Sequence, residues 1–220
     1  KIEDWVTINH SMNKKIYTYD LLVSYGLFNM EIKNNLLAKK LFIFSIKKYS
    51  EFTKPYILLA EIYSLENNFK EALKVLLAAQ KNINNNSEIK YNLSVLYKKM
   101  GLFNEALISI DEAVMFSNNI DACQILKSDI LINMNENEKA KKILLNLNTR
   151  KKKNLYFNKQ ILISKIYLNQ KNYKKAENVL LKLKSLYSNQ IVLYLNLSNL
   201  YIKNGDLKKG IKVLLESIKL

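Results

Sequence analysis

Residues that make turns, disulfides and metal sites are scarce in this sequence of 220 residues. It contains four glycines and one proline, whereas strand-rich folds need turn residues roughly every 8–12 positions. The scarcity therefore favours helices joined by short polar turns. Cys123 and His10 are the only residues of their types, so an intrachain disulfide and a Cys/His metal cluster are both excluded.

Long apolar runs and targeting signals are also missing. No run approaches the roughly 18 residues of a membrane-spanning helix, so no transmembrane segment is predicted, and no signal-peptide pattern is found. A lone cysteine is typical of a reducing compartment, which predicts an intracellular, cytoplasmic location. Because the chain starts at Lys1 without a methionine, we expect it to be a piece of a longer protein.

Arginine is almost absent, although the formal net charge is +16. Arg150 is the only arginine, and the other basic residues are lysines. Proteins that read base edges favour arginine, whose planar fork binds guanine through two hydrogen bonds. We therefore interpret the charge first as a solvated lysine surface, with weak steering of anionic partners as the alternative.

What the chain does contain is a repeat with a period of 34 residues. Residues 53–86 lie in register with residues 87–120, and the matches include Leu59 with Leu93, Tyr63 with Tyr97 and Leu76 with Ile110. Two positions of the repeat are small in every unit. Position 8 reads Gly26, Ala60, Ser94, Ser128, Ser164 and Ser198, and position 20 reads Ala38, Ala72, Ala106, Ala140, Ala176 and Gly210.

The period, the two helical patterns in each unit and this order of large and small residues resemble the tetratricopeptide repeat (TPR). The resemblance implies an all-α, right-handed solenoid of helix-turn-helix units, in which paired helices approach most closely at positions 8 and 20. It also implies a first helix over about positions 1–14 and a second over about positions 17–30. Residues 1–18 are left as an N-terminal cap or the remnant of a preceding repeat. The six units predicted over residues 19–220 are 19–52, 53–86, 87–120, 121–154, 157–190 and 191–220.

Some stretches depart from the pattern. Residues 13–15 read as a polar break before the first unit, and a slip at residues 155–156 precedes the fifth. Unit 121–154 places Gln124 and Lys127 where the family prefers apolar residues, so we expect it to be the least stable. The last unit ends inside its second helix, so we expect further chain, a partner or a second copy to cover it.

Nothing in the sequence indicates catalysis. Cys123 and His10 would lie several repeats apart in such an array, and the glycines form no phosphate-binding loop. The carboxylates, among them Glu61 and Glu136, have no paired spacing for acid–base chemistry. We therefore predict a protein that is not an enzyme and that holds neither a cofactor nor a metal.

The resemblance further implies that positions 5 and 9 of each first helix face a concave groove. These positions are mostly apolar, which is unusual for a surface in water and predicts binding of an extended or helical peptide. The alternative is that they only pack against neighbouring first helices. The expected anchors are Ile57, Tyr91, Ile125 and Ile161. The residues predicted to line the groove are Val23, Leu27, Ile57, Glu61, Tyr91, Val95, Ile125, Asp129, Ile161, Lys165, Leu195 and Asn199.

One TPR subclass grips a C-terminal carboxylate, and this chain lacks its residues. The clamp needs lysine and asparagine at positions 5 and 9 of one unit, followed by asparagine at position 6 of the next. Asn92 occupies position 6 of its unit, but positions 5 and 9 of the preceding unit are Ile57 and Glu61. Because the clamp works through charge-assisted hydrogen bonds to a carboxylate, this recognition mode is excluded there.

The sequence therefore predicts a non-catalytic protein–protein interaction scaffold that binds a peptide or helix of a partner protein, for example within a multi-subunit complex. The alternative is a basic surface for RNA or an anionic membrane, which would bind less tightly as salt is added. Its centre would be Arg150, Lys151, Lys152 and Lys153. A third hypothesis is a targeting module of a larger multidomain protein.

Overall fold

The computed structural model describes residues 12–149 and 152–218, with side chains from residue 18 onward. Twelve helices occupy most of this part of the chain, and no strand occurs within it. The predicted all-α class of tandem helix pairs is therefore confirmed. The chain divides into two compact units, Lys1–Ser117 and Asn118–Leu220. These are called the first unit and the second unit, and each contains several of the 34-residue repeats.

The first unit contains three helix pairs, and the two helices of each pair pack against each other. Successive pairs also stack, because α2 packs on α3 and α4 packs on α5. The helices are α1 Met12–Glu31, α2 Asn35–Lys48, α3 Thr53–Leu65, α4 Phe69–Asn82, α5 Ser87–Lys99 and α6 Phe103–Phe116.

The second unit repeats this arrangement with three further pairs. Here α9 packs on both α7 and α8, and α10 packs on α11. The helices are α7 Ile120–Asn133, α8 Asn137–Asn146, α9 Lys153–Asn169, α10 Tyr173–Leu186, α11 Ile191–Lys203 and α12 Leu207–Ser217.

The predicted polar break at residues 13–15 and the predicted slip at residues 155–156 both lie inside helices. Helix α1 already begins at Met12, so the polar break predicted at residues 13–15 is wrong, and residues 1–11 lie outside the described part. Helix α9 begins at Lys153, so residues 155–156 belong to a helix and not to a loop. The extra residues are accommodated by this early start and by a short α8, which ends at Asn146.

The turn inside each helix pair uses one left-handed residue at repeat position 15. Glycine and asparagine tolerate this conformation best, and they end many helices. Here φ lies between 55° and 85° at all six positions, which are Lys33, Asn67, Gly101, Asn135, Lys171 and Gly205. Each pair therefore turns between the two helices that the resemblance places over positions 1–14 and 17–30.

The next residue, at position 16, caps the second helix in four of the six pairs. Its side-chain oxygen accepts a hydrogen bond from the backbone N–H three residues later, which satisfies a free helix donor. The capping residues are Asn34, Asn68, Asn172 and Asp206. Leu102 and Glu136 stand at the same position before α6 and α8, where no side-chain cap forms.

The small residues lie where the two helices of a pair touch. All twelve residues at repeat positions 8 and 20 are buried. The Ser94 hydroxyl donates to the Ala106 carbonyl oxygen at 2.8 Å, which shows how near α5 and α6 approach. A Cβ atom on Gly26 would stand 2.4 Å from Cε1 of Phe42, so the first pair has no room even for a methyl group.

Larger apolar residues fill the space around these contacts. In the first unit, the ring of Tyr19 stacks on Phe52 with centroids 4.1 Å apart and meets Tyr49 edge-on. In the second unit, the ring of Phe157 meets Tyr187 edge-on. Cys123 is buried and free. Position 24 supplies Phe42, Leu76, Ile110, Leu144 and Leu180 to the core, while Leu214 is only partly buried.

Candidate functional site

A cleft of about 210 Å³ opens in the first unit and is lined mainly by α3 and α5. These are the first helices of two successive pairs, so the cleft lies on the side where the groove was predicted. Ile57, Glu61 and Val95, which the sequence assigned to the groove, all line it. The structure therefore brings these three predicted residues together.

The floor of the cleft is apolar and its rim is polar. Ala60, Leu76 and Leu96 are buried, and they form the base. Lys99 and Ser64 lie on the rim, where the ammonium donates to the hydroxyl at 2.9 Å. Apolar floors with a few placed polar groups are typical of sites that bind one side chain or ligand group.

Asn92 is a further rim residue that the sequence analysis considered only for the carboxylate clamp. Its side-chain amide donates to the backbone carbonyl of Glu88 at 2.8 Å. The amide oxygen can still accept a hydrogen bond. Glu61 on the opposite helix is exposed, so the rim offers a carboxylate, an amide and an ammonium group.

The remaining groove residues of the first unit differ in accessibility. Val23 is only 4% exposed and packs in the core with α2 and α3 residues. It is therefore not available to a partner. Leu27 and Tyr91 are half-buried, so part of each side chain is accessible.

In the second unit, a charged pair occupies the corresponding face. Asp129 and Lys165 occupy position 9 of successive first helices, and their oxygen and nitrogen lie 3.2 Å apart. This pair neutralises its own charges, so it offers a partner little net attraction. Polar residues of α7 and α9 thus bond each other where the sequence predicted an open surface.

The other residues predicted on this face also separate into two groups. Ile161 is 6% exposed and belongs to the core cluster with Leu193 and Leu197, so this expected anchor is not accessible. Ile125 is half-buried, while Leu195 and Asn199 are exposed.

The predicted basic cluster is only partly described. Arg150 and Lys151 lie outside the described residues, as does His10. Lys152 pairs with Asp121 at 2.8 Å, so its charge is already partly balanced. Lys153 is exposed.

Tyrosines at repeat position 11 combine packing with electrostatic contacts. Tyr201 donates its hydroxyl hydrogen bond to Glu177 at 2.7 Å. Burial, followed by this hydrogen bond, raises the pKa of Tyr201 to about 12. The ammonium of Lys209 lies 5.6 Å from the centre of the same ring, within cation–π range. The ring is thus held by structural contacts and is not free to stack on a base.

Sequence reasoning missed a row of apolar residues on the second helices. Repeat position 25 carries Ile43, Leu77, Leu145, Leu181 and Leu215, all exposed, with Asp111 in the remaining unit. The signal was present in the register, because an apolar residue recurs there although position 24 already supplies the core. We call this row, together with the exposed lysines of the same second helices, the outer stripe.

Two kinds of site are not found in the part of the chain that the structure covers. Among residues 12–149 and 152–218, no group of three or more His, Cys, Asp or Glu side chains could hold a metal ion. Within the same ranges, no helix is both long and apolar enough to span a bilayer.

Comparison with known proteins agrees with the tandem helix pairs. A family model described as Tetratricopeptide repeat matches residues 87–119, 160–190 and 191–220. No curated protein matches the sequence.

Several solved structures share the fold. A tetratricopeptide repeat protein from Parabacteroides merdae ATCC 43184 has 16% sequence identity and a TM-score of 0.69, over 91% of this chain and 79% of that one. PilW, a type IV pilus biogenesis factor, has 12% identity and a TM-score of 0.74, over 89% and 90%. The APC/C hetero-tetramer Cut9-Hcn1 has 14% identity and a TM-score of 0.71, over 91% of this chain and 40% of that one. At these identities the similarity shows the fold alone.

Proposed function

The chain is built from tetratricopeptide repeats, and on this premise we propose that it is a non-catalytic scaffold that binds a segment of a partner protein. Repeats of this kind present the first helices of stacked pairs as an extended binding surface. Each compact unit presents its own proposed contact surface, which comprises its accessible groove residues without the buried Val23 and Ile161.

The cleft between α3 and α5 is the observation that carries the proposal. Its volume of about 210 Å³ is smaller than the roughly 300–1,000 Å³ of pockets that enclose whole small-molecule ligands. It is large enough for one aliphatic or aromatic side chain. A side chain that enters such a desolvated pocket can anchor a peptide, because a few buried anchors supply most of the binding energy.

The polar rim indicates what surrounds that side chain. Glu61 can pair with a cation of the partner, and the amide oxygen of Asn92 can accept a backbone N–H. Such contacts fix register and orientation more than they add affinity. The proposed ligand is therefore an extended or helical segment with one apolar anchor and polar flanks.

Affinity capture followed by quantitative binding tests the proposal. Partners are captured from native extract at low and at high salt, identified by mass spectrometry, and measured by calorimetry. The cleft variant Glu61→Lys/Val95→Lys should weaken binding by about tenfold or more, because it reverses the rim charge and places an ammonium group over the apolar floor.

A matched control carries the same kinds of change on the second helix α4. Glu71→Lys/Leu77→Lys alters the net charge equally, at residues that lie outside the cleft lining. This control should bind as the wild type does. Equal affinity of the cleft variant and the control for the captured partner would contradict the proposed site.

A second test concerns the two half-buried groove residues outside the cleft. Tyr91→Ala and Ile125→Ala, combined in one variant, should reduce partner binding while the far-UV circular dichroism stays unchanged. Unchanged affinity in this double variant would restrict the contact surface to the cleft.

A further inference from the structure

Exposed lysines in the second unit are concentrated on one class of helix. The first helices α7, α9 and α11 carry two exposed lysines, Lys153 and Lys203. The second helices carry eight, and these are Lys139, Lys142, Lys174, Lys175, Lys182, Lys208, Lys209 and Lys212. A lysine-rich composition by itself would not sort the side chains in this way.

Acidic residues balance only two of these eight lysines, since Lys139 pairs with Glu136 and Lys209 pairs with Asp206. Glu138 is the only exposed acidic residue among the described residues of α8, α10 and α12. The other two carboxylates on these helices are already engaged, because Glu177 accepts from Tyr201 and Glu216 of α12 pairs with Lys184 of α10. The outward side of these helices is therefore strongly positive.

An exposed leucine stands in the same place on each of the three helices. Leu145, Leu181 and Leu215 are 63%, 45% and 56% exposed. Each follows a lysine of the outer stripe by one or two helical turns, as in Lys142 before Leu145 and Lys174 before Leu181. Residues three, four or seven apart share one helix face, so leucine and lysine project together.

Packing does not explain these leucines. The adjacent residues Leu144 and Leu180 are buried and already fill the core position. Equivalent positions of stacked repeats lie on the same side of the stack. The three leucines thus form a recurring apolar row among cations.

We propose that the outer stripe of the second unit docks on the surface of an anionic lipid bilayer. Lysines are attracted to negatively charged headgroups and can extend toward them while their methylene chains lie on apolar surface. Leucines among them can enter the boundary between headgroups and acyl chains. Phosphates of RNA would attract the lysines but gain nothing from the leucines.

The first unit fits this partner less well. Helices α2 and α4 also carry Ile43 and Leu77 at position 25, but α6 has Asp111 there. A carboxylate in this row opposes binding to a negative surface. The proposal is therefore confined to the second unit.

Co-sedimentation of the full chain with vesicles tests the proposal. The vesicles are phosphatidylcholine alone, and phosphatidylcholine with roughly one third phosphatidylserine, which gives a negative surface. We expect binding to the anionic vesicles only. Lys142→Gln/Lys174→Gln/Lys212→Gln should weaken it roughly a hundredfold, since each lysine near such a surface contributes about fivefold.

The leucine variant separates lipid from nucleic acid. Leu145→Ser/Leu181→Ser/Leu215→Ser keeps every charge and should weaken vesicle binding by about tenfold or more. The same variant should bind a single-stranded RNA probe as the wild type does, because RNA contacts depend on the lysines.

Matched controls change the same residue types on first helices. Lys153→Gln/Lys203→Gln removes exposed lysines outside the stripe, and Val192→Ser/Ile202→Ser removes exposed aliphatic side chains of α11. Both should retain vesicle binding. Circular dichroism of each variant verifies that the helices remain folded.

Three results would overturn the proposal. They are no binding to anionic vesicles, equal binding to neutral and anionic vesicles, and vesicle binding that the leucine variant retains in full. Tight RNA binding with no vesicle binding would assign the lysines to nucleic acid instead.

Discussion

Replacing Gly26 with alanine should destabilise the first helix pair, although alanine is the better helix former. The new Cβ would lie 2.4 Å from Cε1 and 2.7 Å from Cζ of Phe42, a fully buried ring. Overpacking of this kind costs about 1–3 kcal/mol, and the higher helix propensity of alanine returns about 1 kcal/mol. The expected net loss in the free energy of unfolding is therefore about 1 kcal/mol.

A second variant in the same chain should behave oppositely. At Gly210 the new Cβ would lie 2.9 Å from Cγ1 of Ile202, a residue that is 44% exposed and can move away. It would also lie 3.3 Å from the backbone oxygen of Ser198, a contact that needs a shift of only a few tenths of an ångström. Gly210→Ala should thus be neutral or stabilising by up to about 1 kcal/mol. The two changes are chemically identical, so their opposite signs isolate the packing term.

The other repeats show how the clash can be relieved. They carry alanine or serine at position 8 and leucine or isoleucine at position 24, whereas the first pairs Gly26 with the larger Phe42. Phe42→Leu alone should cost about 1 kcal/mol, because it leaves a cavity. Combined with Gly26→Ala it should cost less than the two single changes added together, since the methyl group fills that cavity.

Urea unfolding followed by circular dichroism measures these differences. Because stacked repeats can open locally, amide hydrogen exchange of α1 and α2 should be measured in parallel. Faster exchange is expected there in Gly26→Ala and recovery in the double variant. If Gly26→Ala proved as stable as Gly210→Ala, or if the costs of the two single variants simply added, the packing argument would be refuted.

Three further predictions follow from single contacts. Ser94→Ala should lower the free energy of unfolding by about 1 kcal/mol, because it removes a buried hydrogen bond. Ser198→Ala should not, since among the described residues the buried hydroxyl of Ser198 has no protein partner. Chemical denaturation of the two variants compares these effects. Leu102→Asn should raise stability by about 1 kcal/mol by giving α6 the cap that Asn68 gives α4, which thermal unfolding would detect. The pKa of Tyr201 is raised to about 12, above its unfolded value of about 10. Its contribution to stability is therefore complete below about pH 10 and is lost as the pH rises toward 12, and Tyr201→Phe should remove this part of the alkaline dependence in unfolding titrations.

Most helix boundaries could be predicted from the register. In units 53–86 and 87–120 the helices begin where the pattern places them and end within one residue of it. The reason is physical, because position 15 must be left-handed and positions 8 and 20 must be small. These requirements are local and therefore visible in the sequence.

The helix boundaries that were predicted wrongly depend on more than the spacing of residues in the repeat. The register counted two extra residues at 155–156 but could not show that α9 starts early and α8 ends early. Lysine and asparagine at residues 13–15 were taken for a break, yet lysine is a good helix former. The expectation that unit 121–154 is the least stable stays a prediction, although its short α8 and missing cap are consistent with it.

The site was predictable only in part. The register placed Ile57, Glu61 and Val95 on one face, and the structure joins them in a cleft. It could not show that Ile161 and Val23 are buried, because the same repeat position is open or closed according to the side chains of the neighbouring helices. The lysine–leucine outer stripe was not predicted, because the repeat pattern indicates binding residues on the first helices alone.

The left-handed residue at position 15 also has a practical consequence for engineering. Four repeats use glycine or asparagine there, but Lys33 and Lys171 hold the same conformation with a side chain that disfavours it by roughly 1 kcal/mol. Natural chains often leave such gains unused, because selection requires only adequate stability. Glycine or asparagine at these two turns would make a more heat-resistant version of the protein without touching either proposed binding surface, and such a version would be a better reagent for capturing weak partners.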